Sequence, residues 1–403
     1  MSDDRDRLRP DPAEPSEGAS PDGIDGAAEL ARLRDQIDLV DREILERLNA
    51  RARFVQEVGA LKARTRHAPV YVASRERDLI DALTRGNAGP FPDAGIAHVF
   101  REIVSATRSL EEIVRVAFLG PEGTFSHQAV VRQFGALAEL VPAAHIREVF
   151  DLCERGRAHY GVVPVENTTE GAVTECFDAL VESEVTVCGE LLLEVRQNLL
   201  SNAGSLERIK RVGSHAQSLA QCRGWLQQAL PGVEIAETAS TAAAAKRAVE
   251  DPTFAAIASE VAAEAYGLAI LEPSIEDRKG NSTRFFVIGR DRPAPSGADL
   301  TSAVFTVSKD QSGALFRLLE PFAKHGVNLT AVQSRPIKGK PWEYSFFVDM
   351  EGHVEQPAVQ DALDAAAKVA HSHKLLGSFP AAKKNESADA GIPVVPVGLK
   401  DGN

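Results

Sequence analysis

IEDRKGNSTRFFVIG, residues 275–289, joins a charged loop to an apolar β-type run; the chain before it builds toward this junction and a separate small domain follows it. Gly280 and Asn281 supply flexibility, residues 285–288 have strand character, and Thr283 and Arg284 sit where loop meets strand. One hydroxyl and one guanidinium are thereby placed at a strand mouth. In an open α/β sheet such mouths are where ligands bind. Taken alone, a Thr-Arg pair at such a place is more often a solvated turn.

Upstream, residues 114–290 alternate between strand and helix patterns. VRVAFLG (114–120) is an apolar strand, GPEGTFS (120–126) a Gly-rich turn, and a helix follows over 127–134. Gly120, Gly123, Thr124 and Ser126 therefore lie at a strand-to-helix junction, which favours an anion. Further strands end in GVVPVENTTEG (161–171), RVGSHAQSLAQC (211–222), VEIAETAS (233–240) and FAAIASE (254–260). Several put polar residues directly after a β-run, as a cleft at strand C-termini requires. Singly, Ser214-His215 reads as a helix cap beside a surface histidine, and Asn167 and Thr168 as turn residues.

The ordered set GPEGTFS, VPVENTTEG, SHAQSLAQC and NSTRF resembles the prephenate dehydratase family over residues 114–290. The resemblance implies two α/β lobes of periplasmic-binding-protein type around a cleft, and conversion of prephenate to phenylpyruvate with loss of CO2 and water. Thr283 would assist the leaving hydroxyl and Arg284 would anchor a carboxylate. Glu166, Asn167, Thr168, Ser214 and Gln221 would line and polarise the cleft, with His215 beside them. Relatives usually have Pro where Ala216 stands.

Residues 29–64 contain no Pro, and apolar residues recur at helical spacing through Leu30, Leu33, Ile37, Val40, Ile44 and Leu48. A helix of this length spans roughly 54 Å, too long for a small domain to cover, so a partner chain is expected. A second helix is predicted from Ser74 to about residue 85 and a third over 93–112. Arg51 stands where the heptad asks for an apolar residue, and Lys62 returns to nearly the same face. Arg34, Arg75 and Glu76 add charges, and Thr107 and Glu111 share a face of the third helix. These charges fit either a coiled coil with snorkelling stems or a pocket for a small di-acid.

LRDQID (33–38), Arg51, Lys62, RERDL (75–79) and VFREIVSATRSLE (99–111) resemble the all-helical chorismate mutase domain fused to bacterial prephenate dehydratases, over residues 28–112. The implied fold is an intertwined dimer. Arg34 would reach the partner's site, while Arg51, Lys62, Arg75, Glu76, Thr107 and Glu111 line the chain's own. Chorismate to prephenate is a pericyclic step, so the protein must hold a dianion in its compact conformer and stabilise charge on the ether oxygen. Lys62 and a protonated Glu111 would donate to that oxygen, which makes mutase activity decline as pH rises. Many relatives have Gln at the Glu111 position, and relatives carry Asp near Val72.

After DRPAPSGAD (291–299) the pattern is βαββαβ in about 80 residues, a ferredoxin-like sandwich. SGALFRLLEPFAKHGVNLT (312–330) and QSRP (333–336) resemble the ACT domain of prephenate dehydratases, implying L-phenylalanine bound between paired domains by Gly313, Ala314, Leu315, Asn328, Ser334, Arg335 and Pro336. Relatives often have Glu where Gln333 stands.

The net charge of −13 over 403 residues argues against nucleic acid or an anionic membrane as the main partner. Four cysteines without a CxxC pair fit free thiols in a cytoplasmic protein and imply neither metal nor cofactor. No run of 18 apolar residues suggests a membrane span. Residues 1–27 and 381–403 read as a disordered leader and tail. The expected layout is multidomain: an all-α mutase domain (28–112), an α/β dehydratase domain (114–290) and an α+β ACT domain (300–380). The expected function is bifunctional, acting on chorismate and prephenate in phenylalanine biosynthesis, as a homodimer or higher homo-oligomer with phenylalanine feedback. A dehydratase with an inactive mutase domain and a non-enzymatic metabolite sensor are the alternatives.

Overall fold

A computed structural model describes residues 22–65, 73–307, 312–337 and 343–382. Most of the expected leader, the tail from residue 383, and Val72 lie outside these residues. The chain divides into two compact units, residues 1–54 and 55–403.

The first unit is helical. It contains most of α1 (Asp22–Thr65), which starts seven residues before the predicted onset because extending a helix costs far less than nucleating one. Its apolar stripe is uncovered within one chain: Ile37 is 59% exposed and Phe54 67%.

The second unit opens with the end of α1, followed by α2 (Ala73–Arg85) and α3 (Asp93–Arg108). Helix α3 stops at Arg108, capped by Ser109, and Glu111 lies in the following turn, where its N–H donates to Arg108 O at 2.8 Å. Thr107 and Glu111 therefore do not share a helix face as predicted. Ser105 and Arg108 donate to Phe134 O at 2.9 and 2.6 Å, bonding α3 to the α/β region.

The first lobe contains β1 (Arg115–Leu119), α4 (Phe125–Phe134), β2 (Glu139–Ala143), α5 (Ile146–Glu154), β3 (Tyr160–Asn167), β4 (Gly171–Ala172), α6 (Thr174–Glu182) and β5 (Thr186–Glu194). The second holds β6 (Asn198–Leu200), β7 (Arg211–Ser214), α7 (Ala216–Gln221), α8 (Arg223–Ala229), β8 (Glu234–Glu237), α9 (Thr241–Glu250), β9 (Phe254–Ala258), α10 (Glu260–Tyr266) and β10 (Ile270–Glu272). The chain then returns: β11 (Ser282–Gly289) inserts between β3 and β5, antiparallel to both, giving the order β2-β1-β3-β11-β5 with β4 on β3. The second sheet runs β10-β6-β9-β7-β8. Near-continuous apolar runs such as Phe254–Ala258 are buried throughout, as strands covered on both faces demand.

The last domain comprises β12 (Asp299–Val307), α11 (Ala314–Lys324), β13 (Leu329–Pro336), β14 (Tyr344–Glu351), α12 (Pro357–Val369) and β15 (Ser372–Pro380), with sheet order β13-β14-β12-β15. This is the ferredoxin-like sandwich. It is not an independent appendage, however. Phe177 meets Phe347 edge-on at 4.7 Å, Phe286 meets Phe379 at 5.5 Å, and Val304 and Leu376 share one apolar core with Val187 and Ile288 of the first lobe.

Candidate active site

Two chain crossings join the lobes and lie side by side. Val195 N donates to Asn281 O at 2.8 Å, and Ile275 N to Gln197 O at 2.7 Å. Beside them opens a cleft of about 340 Å³. The first lobe lines it with Thr124, Ser126, Asn167 and Thr283, the second with His215, Gln221, Ser240 and Thr241, and the crossings add Gln197 and Asn281. Topology explains this gathering. The C-terminal ends of β3 and β5 lie at one sheet edge, and because β11 is antiparallel its N-terminal end, with Thr283, lies there too.

Asn167 Oδ1 accepts from Thr169 N at 2.9 Å and Glu170 N at 3.2 Å, which leaves Nδ2 to donate to Thr283 Oγ1 at 2.8 Å. With its oxygen engaged as acceptor, Thr283 keeps its own proton to donate. Across the cleft Gln197 Nε2 donates to Gln221 Oε1 at 3.1 Å. Gln197 Oε1 and Asn281 Nδ2 are buried and have no hydrogen-bond partner among the described residues. Unpaired buried polar atoms cost free energy that a polar ligand can recover. The lining contains no Arg or Lys, but α4 and α9 begin at it, capped by Thr124 and Ser240, and their N-termini favour negative charge.

Below the Gly-rich turn, His127 Nδ1 accepts from Gly123 N at 3.0 Å. Ser259 Oγ of the second lobe donates to Gly123 O at 3.1 Å, so this peptide is gripped from both lobes. Gly123 has φ +84°, and a Cβ there would approach Tyr266 within 2.7 Å; no other residue type fits.

Several expected residues lie elsewhere. Arg284 points away from the cleft, because adjacent strand residues face opposite sides. Its guanidinium pairs with Asp349 at 2.5 Å and Glu190 at 2.7 Å. The group expected to anchor a carboxylate of the substrate is thus occupied by two carboxylates of the protein. Glu166 sits opposite Arg284 in the ladder, on that same face, and is exposed. Ser214 is fully buried and donates to Ile257 O at 2.6 Å, a bond that ties β7 to β9. Thr168 is exposed and donates to Asn281 Oδ1 at 3.1 Å, so it orients a lining residue without lining the cleft itself. His215 lines the cleft as the cap of α7. Gln197 and Asn281 were missed by sequence reasoning, although Asn281 stood in the quoted motif; only the crossing geometry brings both to the cleft. A larger hollow of about 510 Å³ lies along α7, α8 and β8, but Leu219, Leu226 and Ile235 dominate it and no buried polar set converges there.

In the helical region Lys62 Nζ lies 3.2 Å from Glu111 Oε2. The two expected ether-oxygen donors thus face each other as an ion pair. Glu76 pairs with Arg108, and buried Thr107 donates to Ile103 O of its own helix at 2.7 Å. Arg75 is exposed; in the first unit Arg34 is exposed and Arg51 half-buried.

In the last domain Gly313 caps α11 in a left-handed conformation, followed by half-buried Ala314 and exposed Leu315. Ser334, Arg335 and Pro336 end β13 at the same sheet edge, two strand spacings or roughly 10 Å from the end of β12. Exposed Asn328 accepts from Glu351 N through its carbonyl. Arg335 is already engaged: it donates to Thr174 Oγ1 at 2.9 Å and pairs with Asp178 of α6.

A polar cleft between two α/β lobes, fused to a ferredoxin-like domain and preceded by helices bearing paired charges, defines a multidomain small-molecule enzyme. Family models match in that order: chorismate mutase type II over residues 33–112, prephenate dehydratase over 116–293, and the ACT domain over 302–368. The chain is 46% identical over 362 residues to the bifunctional chorismate mutase/prephenate dehydratase of Aquifex aeolicus, a match covering 89% of this chain and 99% of that protein. It belongs to the bifunctional chorismate mutase/prephenate dehydratase family. Among solved structures, it resembles the prephenate dehydratase of Arthrobacter aurescens in complex with L-Phe, with 34% identity and TM-score 0.62 over 69% of this chain and 92% of that one. GqqA, described as a novel type of quorum quenching acylase, matches with 31% identity and TM-score 0.61 over 66% of this chain and 98% of that one.

Proposed function

We propose that the chain catalyses two consecutive steps of L-phenylalanine biosynthesis: chorismate to prephenate in the helical domain, then prephenate to phenylpyruvate in the cleft, with L-phenylalanine as feedback effector of the ACT domain. The Asn167-Thr283 hydrogen bond carries the dehydratase assignment. The ring carboxylate leaves as CO2, its bonding electrons move through the ring, and the ring hydroxyl departs with a proton or hydrogen bond. Thr283, its oxygen already occupied by Asn167, donates to that hydroxyl. The N-termini of α4 and α9 take the carboxylates in place of Arg284, while Asn281 Nδ2 and Gln197 Oε1 find their missing partners on the substrate. The step balances without a co-reactant, since aromatisation supplies the driving force.

In the mutase domain the substrate takes over the Lys62-Glu111 pair, with Arg51, Arg75, Glu76 and Thr107 around it and Arg34 entering from a second copy. The uncovered stripe of α1 supports a homodimer. No described helix is long and apolar enough to cross a membrane. The four cysteines are free and buried, which fits a cytoplasmic setting in which thiols stay unpaired.

Supplying chorismate to the purified protein tests the reading. Prephenate followed by phenylpyruvate is expected, with slower phenylpyruvate formation once phenylalanine is added. Thr283→Ala should abolish phenylpyruvate formation and leave prephenate formation intact; retained dehydration in that variant overturns the role given to Thr283.

A further inference from the structure

We propose that Asp349, a residue of the ACT domain, is a positioning residue for dehydration: it acts through Arg284 on the start of β11 and so on the Thr283 hydroxyl. The inference rests on the dehydratase reading of the cleft. Thr283 and Arg284 are consecutive on β11, one facing the cleft and the other the ACT domain. A strand segment turns as a unit, so whatever orients Arg284 also orients Thr283.

Arg284 is held on three sides. Nη1 donates to Asp349 Oδ2 at 2.5 Å, Nε and Nη2 reach Glu190 Oε2 at 2.8 and 2.7 Å, and the Phe286 ring lies 4.7 Å from the guanidinium carbon. All three charged side chains are nearly removed from solvent, with 16%, 6% and 11% exposure for Arg284, Glu190 and Asp349. Burial opposes the charged form of Arg284, yet Asp349 and Glu190 outweigh it and hold its pKa above the ordinary value. Glu190 alone would neutralise the cation. The second carboxylate comes from another domain and is itself fixed, since Ser302 Oγ donates to Asp349 Oδ1 at 2.5 Å. The other oxygen of Glu190 accepts from Ala382 N at 2.8 Å, just past the end of β15. Both carboxylates thus report the position of the ACT domain to β11.

The connection extends to the edge strand. Asp349 pairs in register with Ala331 of β13, the strand that ends in Ser334, Arg335 and Pro336. A shift of β13 is passed to β14 through this ladder, and from Asp349 to Arg284.

Asp349→Asn keeps the shape and removes the charge. Its dehydratase kcat should fall about 10- to 100-fold, the cost of a small misplacement at the reacting group. The KM for prephenate should stay within about twofold, because uniform binding is untouched. Mutase turnover in the same sample serves as the folding control and should be unchanged; L-phenylalanine should still bind by calorimetry but inhibit dehydration less. Ser302→Ala, which leaves all three charges in place, should give a smaller loss confined to kcat, and it decides the matter if Asp349→Asn does not fold. An unchanged kcat in a folded variant, or parallel losses in both activities and in melting temperature, overturns the proposal. A wild-type protein that does not turn over prephenate overturns the dehydratase reading itself, which is a separate result.

Discussion

Asn167 decides which way the Thr283 proton points, because its own carbonyl oxygen is committed to two backbone N–H groups. His127 plays a similar part beneath the Gly-rich turn. Its ring stacks on Phe118 at 5.6 Å, and Nδ1 can accept from Gly123 N only when neutral. Burial pushes the His127 pKa below its ordinary 6.5, with Glu122 opposing. The unfolded chain therefore binds more protons than the folded one as pH falls. The stability contributed by His127 is complete above about pH 6.5 and is lost as pH drops through the lower folded value. Thermal melts on either side of this pH should show a decline, and His127→Asn, which keeps an acceptor but does not titrate, should flatten it. Equal pH slopes in both proteins would remove His127 as the cause. At this scale the sequence was partly legible. The NSTRF motif drew attention to Thr283 and Arg284 together, while the structure puts Thr283 in the cleft lining and Arg284 against Glu190 and Asp349, since periodicity does not say which alternate face meets the cleft.

At the scale of elements, β11 is the piece on which the second unit turns. The chain leaves the first lobe after β5, builds the second lobe, and returns so that β11 closes the first sheet antiparallel between β3 and β5. Contact with the ACT sheet is equally close on the far side. A Cβ at Gly377 of β15 would lie 2.2 Å from Val187 O of β5, closer than atoms tolerate. Gly377→Ala should destabilise the protein by about 1–3 kcal/mol, the range for forced overpacking. Urea unfolding measures this directly, and an unshifted midpoint would mean the two sheets are not pressed together. The break of α3 at Arg108 has a similar local cause: Ser109 Oγ donates back to Ala106 O at 2.7 Å and the chain turns, carrying Glu111 toward Lys62. A helical pattern that runs on to residue 112 conceals such a stop, because Ser, Leu and Glu are all compatible with helix.

For the whole molecule, the proposed homodimer, with Arg34 entering from a second copy across the uncovered α1 stripe, predicts that mutase activity depends on assembly. Ile37→Asp combined with Ile44→Asp should yield a monomer in sedimentation velocity. Mutase turnover should drop on the order of 100-fold once a positioning arginine is removed, with dehydratase turnover much less affected. A monomer with full mutase activity would show that Arg34 is not needed in trans. Regulation follows the same logic of shared contacts, since phenylalanine can slow dehydration only by binding active and inhibited arrangements unequally. The shared core of Phe177, Phe286, Phe347 and Phe379 makes the ACT domain part of the first lobe, so that inequality has a short path to the cleft.

Local order along the chain was enough to read the order of fold types and most of their elements. Helical and strand periodicities and turn glycines are short-range signals, and four motifs in sequence order announce one cleft. Which side chain of each adjacent pair enters that cleft was decided only in three dimensions. Ser214 spends its hydroxyl on β9, Arg284 turns to Glu190 and Asp349, and Gln197 reaches Gln221 of the second lobe. Those partners are dozens of residues apart in the chain, and burial removes the water that would otherwise satisfy them. Their pairing is set by the packed fold and leaves no mark on the local pattern.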